Sequence, residues 1–152
     1  MPMRDRLNAA LKDAMKSKEA ERLSTLRLIN AAIKDRDIAL RGEGGDTEVS
    51  DDEILAILGK MVKQRQESAR AYEEGGRLEL AEKELSEIKI INGFLPRQLD
   101  EVETAAAIDE AIKAVSAESI RDMGKVMGVI KSKYTGQMDF GKVGPMVKSR
   151  LG

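Results

Sequence analysis

The stretch SDDEILAILGKMVKQRQESARAYEEGG, residues 50–76, decides the fold class of this chain. Ser50 followed three residues later by Glu53 fits a capping box, in which each side chain bonds the other residue's backbone N–H. Apolar residues then recur at helical spacing until the glycine pair at 75–76, a composition that favours a helix end. The stretch therefore predicts one long amphipathic α-helix with a defined start and a defined stop.

The same periodicity continues on both sides of this helix. It predicts helices over 4–16 and 19–40, and another from Leu78 to Ile91. Because a short glycine turn joins two long amphipathic helices, residues 50–91 are expected to form an antiparallel hairpin. Three glycines crowd residues 41–46, which predicts a loop there. No segment alternates with a period of two, so the predicted class is all-α.

Pro96 marks a domain boundary, because proline cannot donate a backbone hydrogen bond and pushes the preceding residue out of helical geometry. We expect a helical N-terminal domain of about four helices at 1–94, a linker at 95–101 and a three-helix domain at 102–152. Its helices are predicted at 102–115, at 119–134, and from Phe140 or Gly144 to Leu151. Pro145 predicts a kink in the last helix, or a restart with Pro145 as the first helical residue.

The chain contains neither cysteine nor histidine. This excludes thiol nucleophiles, Ser-His-Asp triads, a histidine general base, zinc sites of the usual type and Glu-x-x-His di-iron bundles. We therefore predict no catalytic residue, no cofactor site and no metal site, although composition alone leaves a carboxylate-only magnesium site open. Since no signal-like apolar segment follows the N-terminus and no run reaches membrane-spanning length, we expect a cytoplasmic protein that does not enter a membrane.

Charge is unevenly distributed along a chain whose formal net charge is −1. Residues 1–41 carry a net +4, residues 42–118 a net −10 and residues 119–152 a net +5. Any partner must be compatible with an acidic middle between two basic ends.

Two strings resemble a known family, namely Phe94-Leu95-Pro96-Arg97-Gln98-Leu99 and Asp122-Met123-Gly124-Lys125-Val126-Met127-Gly128. Their order and spacing, after the capped helix, resemble the YqeY family of small bacterial proteins over essentially the whole chain. The C-terminal half is also similar to the tail of GatB, the B subunit of the tRNA-dependent amidotransferase that amidates Glu-tRNA or Asp-tRNA. In that enzyme the tail grips tRNA, while phosphorylation and glutamine hydrolysis take place in other domains.

The resemblance implies a tRNA-binding module and no active site, because a shared fold does not transfer chemistry. The candidate RNA-binding residues are Gly124, Lys125, Gly128, Lys131, Lys133, Lys142 and Lys148. Two readings of the glycines stay open: close packing against a neighbouring helix, or a surface that an RNA backbone approaches. The lysines likewise form either a solvated face or contacts to phosphates, which would give salt-dependent, sequence-independent binding.

Three functions follow as hypotheses. The first is an accessory protein that binds tRNA, or a component of the aminoacyl-tRNA machinery, through backbone and shape; few aromatics are available to stack single-stranded bases, and no DNA binding is expected. The second, from a different class, is a helical protein-interaction adaptor. The third is carbon–nitrogen ligase activity with glutamine as amide donor, exerted only within a complex, since neither an ATP site nor an ammonia source has a motif here. The oligomeric state is not determined by the sequence.

Overall fold

The computed structural model describes residues 2–43 and 48–152, whose regular secondary structure is entirely helical, with no β-strand among them. The all-α prediction is confirmed. The helices are α1 (Met3–Lys16), α2 (Ala20–Gly42), α3 (Asp51–Glu74), α4 (Leu78–Asn92), α5 (Glu101–Ala114), α6 (Met123–Lys133) and α7 (Phe140–Leu151), with one 3-10 turn at Ile120–Asp122. The chain divides into two compact units, Met1–Leu95 and Pro96–Gly152, which are described separately.

The first unit has an aliphatic core to which each of its four helices contributes. Leu7, Ile29, Leu58 and Ile91 come from α1, α2, α3 and α4 in turn, and all are buried. Such side chains each stabilise the fold by about 1.5–3 kcal/mol when fully withdrawn from water. The helical periodicity of the sequence therefore identifies correctly which face of each helix is buried.

Helix α2 is longer than the sequence predicted. It continues through Gly42, where residues 41–46 were expected to be a loop, and the amide of Glu43 donates to the carbonyls of Ala39 and Leu40, both at 3.2 Å. A single glycine in the last turn of a helix costs little, because the turn frays there in any case. The rest of the predicted loop, from residue 44 onward, lies outside the described residues.

The predicted capping box at the start of α3 is only half formed. Ser50 Oγ accepts a hydrogen bond from the Glu53 amide at 3.2 Å, but the Glu53 carboxylate accepts instead from Nε of Arg36 on α2 at 3.3 Å. A complete capping box starts α5, where Asp100 and Glu103 each accept from the other's amide. The sequence signal for α5 was present but has aspartate where the motif usually has serine or threonine.

The α3–α4 hairpin is closed by a Schellman motif. Gly76 has φ +74°, its amide donates to the Glu73 carbonyl at 3.1 Å, and the Arg77 amide donates to the Tyr72 carbonyl at 2.7 Å. A left-handed residue is required at this position, and glycine adopts that conformation without steric cost. Along the hairpin, Nε of Arg65 lies 2.9 Å from Glu87 Oε2, joining the two helices by a mostly buried ion pair.

The second unit is a three-helix bundle with its own core. Each helix supplies two of the buried residues that form this core, which are Ile108 and Ala111 from α5, Val126 and Ile130 from α6, and Val143 and Val147 from α7. The helix predicted over 119–134 begins as a 3-10 turn, because Ser119 Oγ and the Asp122 carboxylate accept from the amides of Arg121 and Glu118. The α-helix proper then starts at Met123.

Helix α7 does not restart at Pro145. It is continuous from Phe140 to Leu151 with Pro145 inside it, so of the two alternatives predicted at Pro145, a kink or a restart, the restart is wrong. Proline removes the hydrogen bond to the Gly141 carbonyl. Both residues are exposed, so water can satisfy that carbonyl.

Residues 97–100, predicted as part of a linker, are bonded to the α6–α7 connection of the second unit. The Leu99 amide donates to the Gln137 carbonyl at 3.0 Å, and Gln137 Nε2 donates to the Arg97 carbonyl at 3.1 Å. The Arg97 guanidinium forms two hydrogen bonds to the carboxylate of Glu103, at 2.7 and 2.6 Å. That guanidinium, with the Asp100 amide, lowers the pKa of Glu103 to about 2.

Candidate nucleic-acid interface

The outward side of α6 carries five exposed residues, called here the α6 outer face: Gly124, Lys125, Gly128, Lys131 and Ser132. At about 100° per residue they share one side of the helix, opposite the buried Val126 and Ile130. The bundle therefore positions this face, because the apolar side of α6 is fixed in the core.

The two glycines of the α6 outer face do not pack against another helix. A Cβ added at Gly124 or Gly128 would meet no heavy atom within 4 Å among the described residues. The close-packing reading of these glycines is therefore wrong in this unit. What they provide is a surface without side chains that another molecule's backbone can approach.

Lys125 and Lys131 lie on the two sides of this glycine surface, about 120° apart around the helix. Neither forms an ion pair with a carboxylate of the described residues. Their ammonium groups are compact charges of the kind that binds phosphate. The α6 outer face thus combines positive charge with close backbone access.

Asp122 sits at the edge of this face. Its carboxylate accepts a hydrogen bond from the Glu118 amide at 3.0 Å, which lowers its pKa, and the nearby Lys125 lowers it further. The carboxylate is therefore ionised at neutral pH and offsets part of the charge of Lys125.

Lys133 lies apart from the other α6 lysines. Its Nζ is 3.4 Å from Glu110 Oε1 on α5 and 5.6 Å from the ring centroid of Tyr134. The hydrogen bond to Glu110 raises the pKa of Lys133. Although the sequence grouped Lys133 with Lys125 and Lys131, its charge is already paired within the unit.

The two α7 candidates, Lys142 and Lys148, are both exposed. They lie on the side of α7 opposite the buried Val143 and Val147, again about 120° apart. The structure therefore places two candidate lysines on the outward side of α6 and two on the outward side of α7.

A feature that the sequence did not reveal surrounds Phe94 in the first unit. The guanidinium carbons of Arg6 and Arg22 lie 5.8 and 5.6 Å from the centroid of its ring, within cation–π distance. These side chains line an open groove with Asp13 and Lys16. Because Phe94 is more than 70 positions from either arginine, no local pattern could have brought them together.

Two absences apply to the part of the chain that the structure describes. Residues 2–43 and 48–152 contain no cluster of three or more carboxylates able to hold a metal ion. Within those same ranges, no helix has the length and apolar content to cross a bilayer.

The comparisons with known proteins identify a family. The family model described as Yqey-like protein matches residues 4–151. Three fungal proteins named "Altered inheritance of mitochondria protein 41, mitochondrial" are similar to this chain. The one from Clavispora lusitaniae is 40% identical over 59% of this chain and 49% of its own length. Those from Pyrenophora tritici-repentis and Saccharomyces cerevisiae are each 28% identical, over 87% and 84% of this chain and 71% and 69% of theirs.

Two points follow from these relatives. The matched part of this chain spans about half the length of the Clavispora lusitaniae protein, so the whole protein's activity does not transfer directly. The expected cytoplasmic location is wrong by this comparison, because all three relatives are named as mitochondrial.

Proposed function

Because this chain belongs to the Yqey-like protein family, we propose that its second unit binds tRNA, or a similarly folded RNA, through the phosphate backbone. The observation that carries the proposal is the α6 outer face, where Lys125 and Lys131 flank an open glycine surface. The similarity of the C-terminal half to the tail of GatB, which grips tRNA in the amidotransferase, supports the same partner.

Electrostatics and composition favour RNA backbone over bases. Residues 119–152 carry a net +5, and among the described residues no carboxylate forms an ion pair with Lys125 or Lys131. Tyr134, the C-cap residue of α6, is half-buried beside Lys133, and α6 itself contains no aromatic residue. Binding therefore proceeds by neutralising phosphates, which makes the affinity salt-dependent and largely insensitive to base sequence.

A tRNA titration across a salt series tests this proposal. Labelled tRNA is mixed with the full chain, and binding is followed by fluorescence anisotropy. The expected result is a logarithmic affinity that falls with the logarithm of salt by about 0.7 to 0.9 for each phosphate contact. Lys125→Glu with Lys131→Glu should weaken binding and reduce that slope.

The matched control places the same charge change in the first unit. Lys34→Glu with Lys60→Glu alters two exposed lysines of α2 and α3 and should leave the affinity unchanged. The absence of measurable tRNA binding at low salt, or equal losses in the test and control variants, would overturn the proposal.

A second candidate function, a protein-interaction adaptor, is supported by α4. Leu78 and Leu85 are 62% and 47% exposed and lie seven residues apart on one side of that helix, close to the acidic Glu82. A basic amphipathic helix of another protein would complement this surface. The test is affinity purification with the full chain and with Leu78→Ser/Leu85→Ser. A stoichiometric partner lost only in the variant supports the adaptor function, and one recovered equally by both contradicts it.

A further inference from the structure

The last two helices of the chain are related in sequence. Residues 122–134, DMGKVMGVIKSKY, align without gaps with residues 139–151, DFGKVGPMVKSRL, 17 positions later. Six of the thirteen positions are identical, forming the pattern Asp-x-Gly-Lys-Val followed by Lys-Ser. Three further positions hold similar residues, including Ile130 with Val147 and Lys133 with Arg150.

The buried positions of the two segments match. Val126 and Val143 are 0% and 3% exposed, and Ile130 and Val147 are both 0% exposed. All four lie in the single core of the second unit. The two helices thus use the same apolar positions to face the bundle.

The basic positions on the α5 side of the two helices match as well. Lys133, near the end of α6, pairs with Glu110, and Arg150, near the end of α7, pairs with Asp109. Glu110 and Asp109 are neighbours on α5. Equivalent residues of the two segments are therefore neutralised by consecutive carboxylates of one helix, which independently supports their equivalence.

The outward positions complete the correspondence. Lys125 and Lys131 on α6 correspond to Lys142 and Lys148 on α7, and all four side chains are exposed. Between each pair of lysines lie small or compact residues, Gly124, Gly128 and Ser132 on one helix and Gly141, Pro145 and Ser149 on the other. We define the α7 outer face as Gly141, Lys142, Pro145, Lys148 and Ser149.

From this correspondence we propose that α6 and α7 are a duplicated helical unit, and that one RNA molecule contacts both outer faces through two segments of its phosphate backbone. The inference rests on the proposed function and adds the number of RNA-binding faces, which is two equivalent faces with two lysines each. Charge complementarity favours a polyanion as the ligand, because each face carries two exposed ammonium groups. The small or compact residues between the lysines leave room for a phosphate backbone to approach.

The duplication predicts equal contributions from the two helices. In tRNA binding by the full chain, Lys125→Glu/Lys131→Glu and Lys142→Glu/Lys148→Glu should weaken affinity by similar factors. Each double variant should lower the salt slope by about 1.4 to 1.8, which corresponds to two lost phosphate contacts. The fourfold variant should lose both contributions. Circular dichroism and thermal unfolding show that each variant is folded, and milder Lys→Gln versions replace any that is not.

The outcomes separate the two proposals. A loss confined to the α6 variant, with the α7 variant binding like the unaltered chain, overturns the two-face inference and leaves the proposed function standing. Unchanged binding in both double variants, or the same loss in the Lys34→Glu/Lys60→Glu control, overturns RNA binding by this unit altogether. Equal losses in the two test variants, with the control unaffected, support both.

Discussion

Nζ of Lys133 lies 3.4 Å from Oε1 of Glu110, so the last lysine of α6 is paired with α5 instead of joining the lysines of the α6 outer face. The i to i+2 step from Lys131 to Lys133 turns the side chain by about 200°, which carries it to the α5 side of the helix. Two lysines that are only two positions apart in the sequence thus lie on different sides of α6.

The first prediction uses this difference. Lys131→Gln should lower tRNA affinity, because it removes an exposed charge of the α6 outer face, whereas Lys133→Gln should leave affinity and salt slope unchanged. Anisotropy titrations of both variants across a series of salt concentrations give the affinity and the salt slope. A larger loss for Lys133→Gln than for Lys131→Gln would contradict the assigned faces.

The second prediction concerns Asp37, which ties α2 to α1 and to the segment before α3. Its carboxylate accepts two hydrogen bonds of 3.1 Å from Arg4 and one of 2.9 Å from the Val49 amide. Asp37→Asn should destabilise the chain by roughly 2 kcal/mol, since hydrogen bonds to charged groups are the stronger kind. Urea unfolding at neutral pH measures it, with Asp35→Asn on the exposed side of α2 as the matched control.

The pH dependence of this effect has a defined sign. The hydrogen bonds from Arg4, and then the one from Val49, lower the pKa of Asp37 in the folded chain from 3.8. The contribution of Asp37 is therefore present above its unfolded pKa and is lost as pH falls through the folded pKa. The stability difference between the unaltered chain and Asp37→Asn should shrink below pH about 4. A difference that persists undiminished in acid would show that the carboxylate charge is not responsible.

The third prediction separates stability from binding at Gly128. A Cβ at this position meets no described heavy atom within 4 Å, so Gly128→Ala should stabilise α6 by about 1 kcal/mol through its helix propensity. If an RNA backbone approaches this surface, the same change should lower tRNA affinity. Thermal unfolding and tRNA titration of one preparation give both quantities.

The control for Gly128 is Gly59 in α3, where an added Cβ likewise meets open space. Gly59→Ala should raise the melting temperature and leave tRNA affinity unchanged. A melting temperature lowered by Gly128→Ala would contradict the open geometry, and equal tRNA affinity in both variants would remove the glycine surface from the interface.

The fourth prediction concerns the end of α5. Ser116 has φ +53°, and the amides of Ser116 and Ala117 donate to the carbonyls of Lys113 and Ile112 at 3.1 and 3.0 Å. This is a Schellman end with a side chain where glycine is favoured. Ser116→Gly should therefore raise stability by about 1 kcal/mol. Ala106→Gly, at an exposed position in the middle of α5, should lower stability by about 1 kcal/mol. The opposite order in thermal unfolding would be inconsistent with the left-handed backbone at Ser116.

Much of the fold could be read from the sequence because its signals are local. The glycine pair at 75–76 ends α3 where predicted, and helical periodicity identified the buried Leu58 and Ile130. The errors have local causes too. Pro145 is accommodated within α7 because it is exposed, and Gly42 remains helical because it lies in a terminal turn.

The candidate site was only partly readable. Residue type and the helical wheel placed Gly124, Gly128 and the lysines beside the apolar face of α6, and the structure shows them on its outward side. Whether the glycines pack against a neighbour depends on where the other helices lie, which helical spacing within α6 does not report. The sequence similarity between α6 and α7 alone is weak evidence for a duplication. Burial and ion pairing strengthen it, because corresponding residues of the two helices have the same environment.

Helical periodicity, capping signals and composition were enough to predict the all-α class, most of the helix positions and the exclusion of cysteine and histidine chemistry, because none of these requires knowing which residues meet in space. Only the tertiary structure decided which charges are available. Glu110 neutralises Lys133 from 23 positions away, Asp109 neutralises Arg150 from 41, and both partners depend on how α5 packs. The strength of a Coulomb interaction depends on the spatial distance between two charges in the folded protein. The sequence gives only their separation along the chain.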